Sequence, residues 1–273
     1  MRIDSHQHFW IYDRKRDSWI TDNMQVIQRD FLPPDLEPLL HQHNLHGCVA
    51  VQADQSETET NFLIALSEEH RFVRGVVGWT DLKAADVEAK LSGFKNFKAL
   101  KGFRHIIQAE AKGFMLHPDF IRGVQLLKKY NFTYDILIRE QQLEEALAFI
   151  QLLPDQKLVI DHIAKPLIGH DRSYWKQYIT EIARYENVYC KLSGMVTEAD
   201  WSTWQASNFT PYLDTIFHVF GSKRVMYGSD WPVCLLAASY SRQLQIVEQH
   251  IQSFSDTEKQ AIMGENATGF YNL

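Results

Sequence analysis

The sequence predicts an α/β fold, a single closed (β/α)8 barrel over residues 1–273. Three observations predict it. Eight short apolar runs rich in β-branched residues alternate with segments of helical periodicity. No Gly/Pro/Ser-rich linker or change of composition divides them. The first run ends in histidines, not in the Gly-rich phosphate loop that an open doubly wound sheet more often carries there. At 273 residues and 45% hydrophobic, the chain is long enough for a barrel and its ring of helices.

Ile3–Trp10 reads as the first strand, which puts His6 and His8, two residues apart, on one face. Ile3 and Ser5 are expected on the other. Residues 11–34 are charged and aromatic without clean periodicity, a long loop of the kind that often serves function. Pro33-Pro34-Asp35 starts a helix with Leu36, Leu39 and Leu40 as its apolar stripe. Gly47–Gln52 is a second strand, apolar enough to be buried on both faces. A helix over Thr58–His70 leads to strand Phe72–Trp79, and a helix over Ala84–Leu91 to strand Ala99–His105. Helix Asp119–Tyr130, strand Phe132–Ile138, helix Gln141–Leu153 and strand Lys157–His162 continue the alternation. Helix Tyr174–Tyr185, strand Val188–Ser193, helix Tyr212–Phe220 and strand Val225–Asp230 complete eight units. Two helices, Tyr240–Phe254 and Thr257–Tyr271, close the chain.

Composition excludes several function classes. Lys and Arg number 28 against 34 Asp and Glu, a net charge of −6 with no basic run, so the electrostatic footprint of nucleic-acid binding is missing. No apolar stretch approaches the ~18–20 residues that span a bilayer. Asp4, His6 and His8 interrupt any leader-like apolar run at the start. Cys48, Cys190 and Cys234 are few, odd in number and far apart, which argues against a disulfide framework. A reducing, cytoplasmic setting is expected.

In such a barrel the chemistry sits at the C-terminal ends of the strands. Those ends carry His6 and His8, Trp79, Arg104 and His105, Asp135 and Arg139, His162, Ser193, and Asp230 followed by Trp231-Pro232. Taken singly, each has a plain structural explanation. His162 reads as a core histidine bonded to a carbonyl, Asp230 as a turn or helix cap, Arg104 as a rim ion pair, Asp135 as an interior hydrogen-bonded carboxylate and Trp79 as packing. Asp161 becomes the inward group if the pleat shifts by one residue. Convergence of histidines and aspartates from distant strands on one rim is harder to obtain from packing alone.

H-x-H on the first strand, a histidine ending the sixth and an aspartate ending the eighth resemble the amidohydrolase superfamily. Ile3-Asp4-Ser5-His6-Gln7-His8-Phe9-Trp10, Lys101-Gly102-Phe103-Arg104-His105 and Asp161-His162-Ile163-Ala164-Lys165-Pro166 are similar to its sugar-acid lactonase branch. So are Lys191-Leu192-Ser193-Gly194, Tyr227-Gly228-Ser229-Asp230-Trp231-Pro232 and the terminal Gly264-Glu265-Asn266-Ala267 with Phe270-Tyr271. That branch includes fuconolactonase, rhamnonolactonase and pyrone-dicarboxylate lactonase. The resemblance implies a metallo-dependent hydrolase-like TIM barrel that opens a lactone to its acid. A sugar-derived substrate is expected over an aromatic one, because apart from Arg104 and Arg139 few arginines end strands to pair with a pyrone's two carboxylates.

Under this resemblance Asp230 is the general base toward water. His6, His8 and His162 polarise the carbonyl or orient the water, directly or through an ion. Arg104, His105 and Trp79 contact substrate. Binuclear relatives use a lysine or glutamate near strand four and a histidine near strand five. Here strand four ends in Arg104-His105 and strand five has no histidine, so two metals are not expected. One zinc-like divalent ion on His6, His8 and Asp230 is one outcome, metal-independent catalysis the other; no organic cofactor is expected. The expected partner is a small-molecule lactone, with nucleic acid and membrane excluded and a homo-oligomer left open. Two other readings are a metal-dependent decarboxylase on the same barrel and a catalytically silent binding or scaffold barrel.

Overall fold

The computed structural model describes residues 1–273. Its eight strands are β1 (Asp4–Gln7), β2 (Cys48–Val51), β3 (Val73–Gly78), β4 (Leu100–His105), β5 (Thr133–Ile136), β6 (Leu158–Ile160), β7 (Val188–Leu192) and β8 (Val225–Tyr227). They pair in parallel and in chain order. Between them run α1 (Pro33–Gln42), α2 (Glu57–Glu69), α3 (Val87–Phe94), α4 (Pro118–Leu127), α5 (Leu143–Gln151), α6 (Ser173–Ile182) and α7 (Thr210–Phe220), with α8 (Tyr240–His250) after β8. The alternation in the sequence predicts this barrel, and the strands are apolar on both faces because helices cover the outside.

The pleat sorts residues between two cores. Cys48 and Ala50 join the layer between strands and helices, whereas Val49 and Val51 join Val77, Val159 and Met226 inside the barrel. Ile3, expected outside, joins that inner cluster. The pairing of β1 with β2 shifts register between Asp4 and Gln7, which breaks strict alternation and lets Ile3, His6 and His8 all face inward.

The last helix also differs from expectation. Thr257–Tyr271 is not continuous but divides into α9 (Asp256–Gln260), a wide turn over residues 261–265 and α10 (Asn266–Tyr271). The N-terminus causes the break. Ile3 N donates to Met263 O at 2.8 Å, and a Cβ on Gly264 would lie 1.9 Å from Met1 O. Beyond it, α10 plugs the lower end of the barrel with Ala267, Phe270 and Tyr271. Lys157 Nζ donates to Gly269 O and Phe270 O, and Lys101 Nζ to Asn272 O, so cations meet the carbonyl end of this helix.

The strand ends are shorter than the periodicity suggests. β6 stops at Ile160 and β8 at Tyr227, because the chain turns left-handed at His162 (φ 54°) and Asp230 (φ 57°). The seam between β1 and β8 is therefore closed above β8. Asp230 N donates to His6 O at 2.8 Å and His8 N to Trp231 O at 2.7 Å.

Truncating the plug at Phe270, which is 2% exposed, tests how far the barrel depends on it. Phe270→Ala should lower unfolding stability by about 3–5 kcal/mol, read from urea denaturation midpoints. A loss below about 1 kcal/mol would mean that the lower end is closed without it.

Candidate active site

A cavity of about 370 Å³ opens at the C-terminal end of the strands, and His8, His162 and Asp230 line it. His6 lies directly beneath, fully buried. Asp230 Oδ1 is 3.3 Å from His8 Nε2 and 3.8 Å from both His6 Nε2 and His162 Nε2. His6 and His8 approach through their Nε2 atoms at 3.2 Å. The four residues that carry the chemistry in the sequence reading thus meet around one carboxylate oxygen.

Local backbone sets each of them. β1 carries His6 and His8 as an inward pair. His162 belongs to four consecutive left-handed residues, His162 to Lys165, which include the β-branched Ile163. Such conformations are costly for residues with a Cβ and persist where surrounding structure imposes them, often at functional sites. They let Asp161 and His162 both reach the barrel axis, so the question of which one faces inward has the answer that both do. Opposite them, Gly194 takes φ +60°, and a Cβ there would lie 2.5 Å from His162 Nδ1.

Hydrogen bonds restrict the imidazoles. His8 Nδ1 is 2.7 Å from Val51 O. A carbonyl only accepts, so His8 carries a proton on Nδ1 and presents Nε2 to Asp230 Oδ1 and the site. His162 Nδ1 is bonded to Ser193 Oγ at 2.9 Å. Burial works to raise the Asp230 carboxyl, but His162, His8 and Lys165 outweigh it and hold Asp230 below the ordinary carboxylate value. It is ionised at neutral pH. Burial holds His6 and His162 well below the usual histidine value, so both are neutral there.

Beneath the site lies a set of buried charges of which the sequence reading had only part. Lys191 Nζ is 2.5 Å from Asp135 Oδ2, 3.0 Å from Asp161 Oδ1 and 3.1 Å from His6 Nδ1. Arg104 Nη1 donates to Asp161 Oδ2 at 3.1 Å, lies 3.3 Å from His6 Nε2, and Nη2 donates to Gln52 O. Burial pushes Asp135 up to about 6, while Lys191, His6 and Arg104 overcome burial at Asp161 and keep it well below the ordinary value. Two cations face two carboxylates, an arrangement that avoids an uncompensated charge in low dielectric. The sequence reading quoted Lys191 only within a motif and gave it no role, although it stands alone as a charge in Val188-Tyr189-Cys190-Lys191-Leu192, on the same face as Ser193. That isolation was the available signal. Asp4 was likewise quoted and given no role. Its carboxylate accepts from Ser229 N at 2.8 Å and Tyr240 Oη at 3.0 Å, and burial pushes it up to about 6.

The other expected contacts are placed unevenly. Arg104 lines the cavity, but its guanidinium is largely engaged by the protein. Trp79 and His105 do not line it. Trp79 Nε1 donates to His105 Nδ1 at 3.2 Å, and His105 Nε2 bonds Glu110 at 2.8 Å while its ring stacks on Phe114. The cavity wall is built instead by Trp19 from the long first loop, Gln55, Gln108 and Arg139. Arg139 is the residue the sequence reading named at the end of strand five, whereas Trp19, Gln55 and Gln108 lie beyond the strand ends, where periodicity carries no information.

Two groups of donors suit a metal: His6, His8 and Asp230, and His6, Asp161 and His162. In the first, the donor atoms are separated by 3.2, 3.3 and 3.8 Å. Tetrahedral zinc with bonds of ~2.0–2.1 Å spaces its N and O ligands by roughly 3.3–3.5 Å, so this set fits one ion with little movement. Asp161 Oδ1, buried without a well-aligned hydrogen bond, stands 3.3 Å behind His6 Nδ1 and can accept a hydrogen bond from that nitrogen when Nε2 ligates.

The chain is similar to known proteins over its whole length. A family model described as Amidohydrolase matches residues 3–273. An L-fucono-1,5-lactonase of Burkholderia multivorans is 41% identical over 286 residues, covering 100% of this chain and 96% of that protein. An L-fucono-1,5-lactonase of Burkholderia ambifaria is 34% identical, again over 100% of this chain and 96% of that protein. A crystal structure of a Burkholderia multivorans amidohydrolase with bound zinc superposes with a TM-score of 0.97 at 40% identity, covering 100% of this chain and 99% of the other. No helix of this chain is long and apolar enough to cross a membrane.

The buried, neutral state of His162 has a measurable consequence. Its folded proton affinity lies well below its unfolded one, so the unfolded chain takes up a proton near pH 6.5 that the fold refuses. Its contribution is therefore present above pH 6.5 and lost as the pH falls. Relative to His162→Gln, the wild type should lose about 1.4 kcal/mol of stability per pH unit below 6.5, read from urea midpoints between pH 7.5 and 5. Parallel curves for the two proteins would contradict a neutral His162.

Proposed function

This chain belongs to the amidohydrolase family, and from that premise we propose that it hydrolyses a lactone of a sugar acid. The observation that carries this reading is the Asp230 carboxylate flanked by His8 and His162 at the wall of one cavity. The two fuconolactonases identical at 41% and 34% over the whole chain support the substrate class.

Asp230 is the general base. It takes a proton from water as the water oxygen bonds the lactone carbonyl carbon, and the carbonyl becomes an oxyanion. When the ring C–O bond breaks, the ring oxygen leaves with that proton as a hydroxyl, and the product is an open acid. His8 and His162 orient the water and carbonyl, with His6 holding His8 from below. A divalent ion held by His6, His8 and Asp230 supplies Lewis-acid polarisation of the carbonyl when bound. The cavity's cations stabilise the oxyanion and the product carboxylate: Arg139 makes no ion pair, whereas Lys165 is 3.3 Å from Glu198. Gln108 Oε1, buried without a partner, is placed to accept from a substrate hydroxyl. Trp19, held edge-on to Trp10, offers a flat apolar face to a sugar ring.

The deciding assay is hydrolysis of a panel of aldonolactones, L-fucono-1,5-lactone among them, by zinc-replete protein with a pH indicator. We expect turnover, and a fall in kcat of roughly 10²–10⁴-fold in Asp230→Asn with the fold retained. Failure to hydrolyse any lactone would overturn the reading. Trp19→Ala should raise KM about tenfold with kcat little changed, the pattern of lost uniform binding. An unaltered KM would remove Trp19 from the substrate site.

A further inference from the structure

Lys191 has no part in the chemistry just described, yet it is a fully buried cation inside the barrel and it touches His6. An ammonium has three N–H bonds and no lone pair. Three groups surround it: Asp135 Oδ2 and His6 Nδ1 accept its hydrogen bonds, and Asp161 Oδ1 is an ion-pair partner. Asp135 is held in turn by Tyr271 Oη at 2.8 Å, and the Tyr271 ring lies 5.5 Å from Lys191 Nζ. The barrel plug thus fixes the lysine from below, and the lysine presses a donor against the rear nitrogen of His6.

We propose that Lys191 is a positioning residue that decides which nitrogen of His6 carries the proton, and through that sets how strongly His6 can ligate a metal. The proposal rests on His6 belonging to the site as read above. Lys191 can only donate, so His6 accepts at Nδ1 and keeps its proton on Nε2. The front of the ring favours the same choice. Asp230 Oδ1, a carboxylate oxygen that only accepts, lies 3.8 Å from His6 Nε2. Arg104 Nη1, 3.3 Å from His6 Nε2, and Asp161 Oδ1, 3.3 Å from His6 Nδ1, favour the opposite tautomer, but both are farther away than Lys191 at 3.1 Å and both are already engaged, Arg104 with Asp161 Oδ2 and Asp161 Oδ1 with Lys191. Ligation by His6 Nε2 therefore requires its proton to move to Nδ1, toward Asp161 Oδ1 and against the Lys191 ammonium. Lys191 opposes zinc at this site.

The test removes the lysine without changing the buried charge. In Lys191→Met/Asp135→Asn one cation and one carboxylate go together, and the carboxamide oxygen introduced at position 135 can still accept from Tyr271 Oη. Two measurements are made, neither of which depends on lactone turnover. Imidazole 15N shifts of the chelator-treated protein, with His6 assigned by its loss in His6→Gln, report the protonated nitrogen. Competition with a chromophoric chelator reports zinc affinity. We expect wild-type His6 protonated at Nε2, a move to Nδ1 in the double variant, and zinc bound about tenfold more tightly by that variant. Generic damage to the site would weaken zinc binding, so the sign separates positioning from a structural role. An Nδ1-protonated His6 in the wild type would overturn the proposal, as would unchanged or weaker zinc binding by a folded double variant. If the double variant does not fold, the wild-type 15N shifts alone decide. Absence of lactonase activity with the shifts as expected would count against the substrate reading and leave the role of Lys191 intact.

Discussion

The closing seam of the barrel is the constraint on which the site depends. Seven of the eight strand contacts are ladders between consecutive strands, formed locally as each βαβ unit packs. The eighth joins the first strand to the last and must be made across the whole chain. It consists of the backbone bonds between His6 and Asp230 and between His8 and Trp231. The atoms that close the barrel therefore belong to the residues that build the site. Closure and assembly of the site are one event, and Asp230 reaches His8 only when the last strand has docked.

That coupling explains the unusual backbone around it. Asp230 and His162 both lie in the left-handed region, where a side chain with a Cβ is disfavoured. Regular strand geometry at these positions would carry the chain on past the rim and point one side chain in and the next out. The turns instead fold the strand ends over the barrel mouth. The cost of that conformation is offset by the seam bonds and by dense packing around the rim.

Charge is the second organising term. Lys191, Arg104, Asp135 and Asp161 sit in the barrel interior above an apolar layer of Val49, Val51, Val77, Val159 and Met226. A buried cluster such as this contributes little net stability compared with apolar residues of similar size, since desolvation offsets most of the Coulomb attraction. Its effect is directional. Fixed dipoles and charges in a low dielectric orient the imidazoles above them, and reorganise little when charge develops in the cavity. The long first loop then supplies Trp19, and loops beyond the strands supply Gln55, Gln108 and Arg139, so the floor is built on strands and the wall on loops.

The order of elements and the inward pairing of His6 and His8 were legible in the sequence, because periodicity of 2 and 3.6 is a local property. So was the arrival of His162 and Asp230 at one rim, since in a parallel barrel every strand ends on the same side. What was not legible depended on contacts distant in sequence. Ile3 turned inward because β1 shifts register against β2, and the C-terminal helix broke at Gly264 because the N-terminus packs there. Trp79 and His105 satisfied each other away from the cavity. By itself the sequence determined the barrel, its strand order and the residues available at its mouth. Only the tertiary structure decided which of them touch: hydrogen-bond partners, tautomers and charge balance are set by neighbours across the barrel, and strand periodicity carries no record of them.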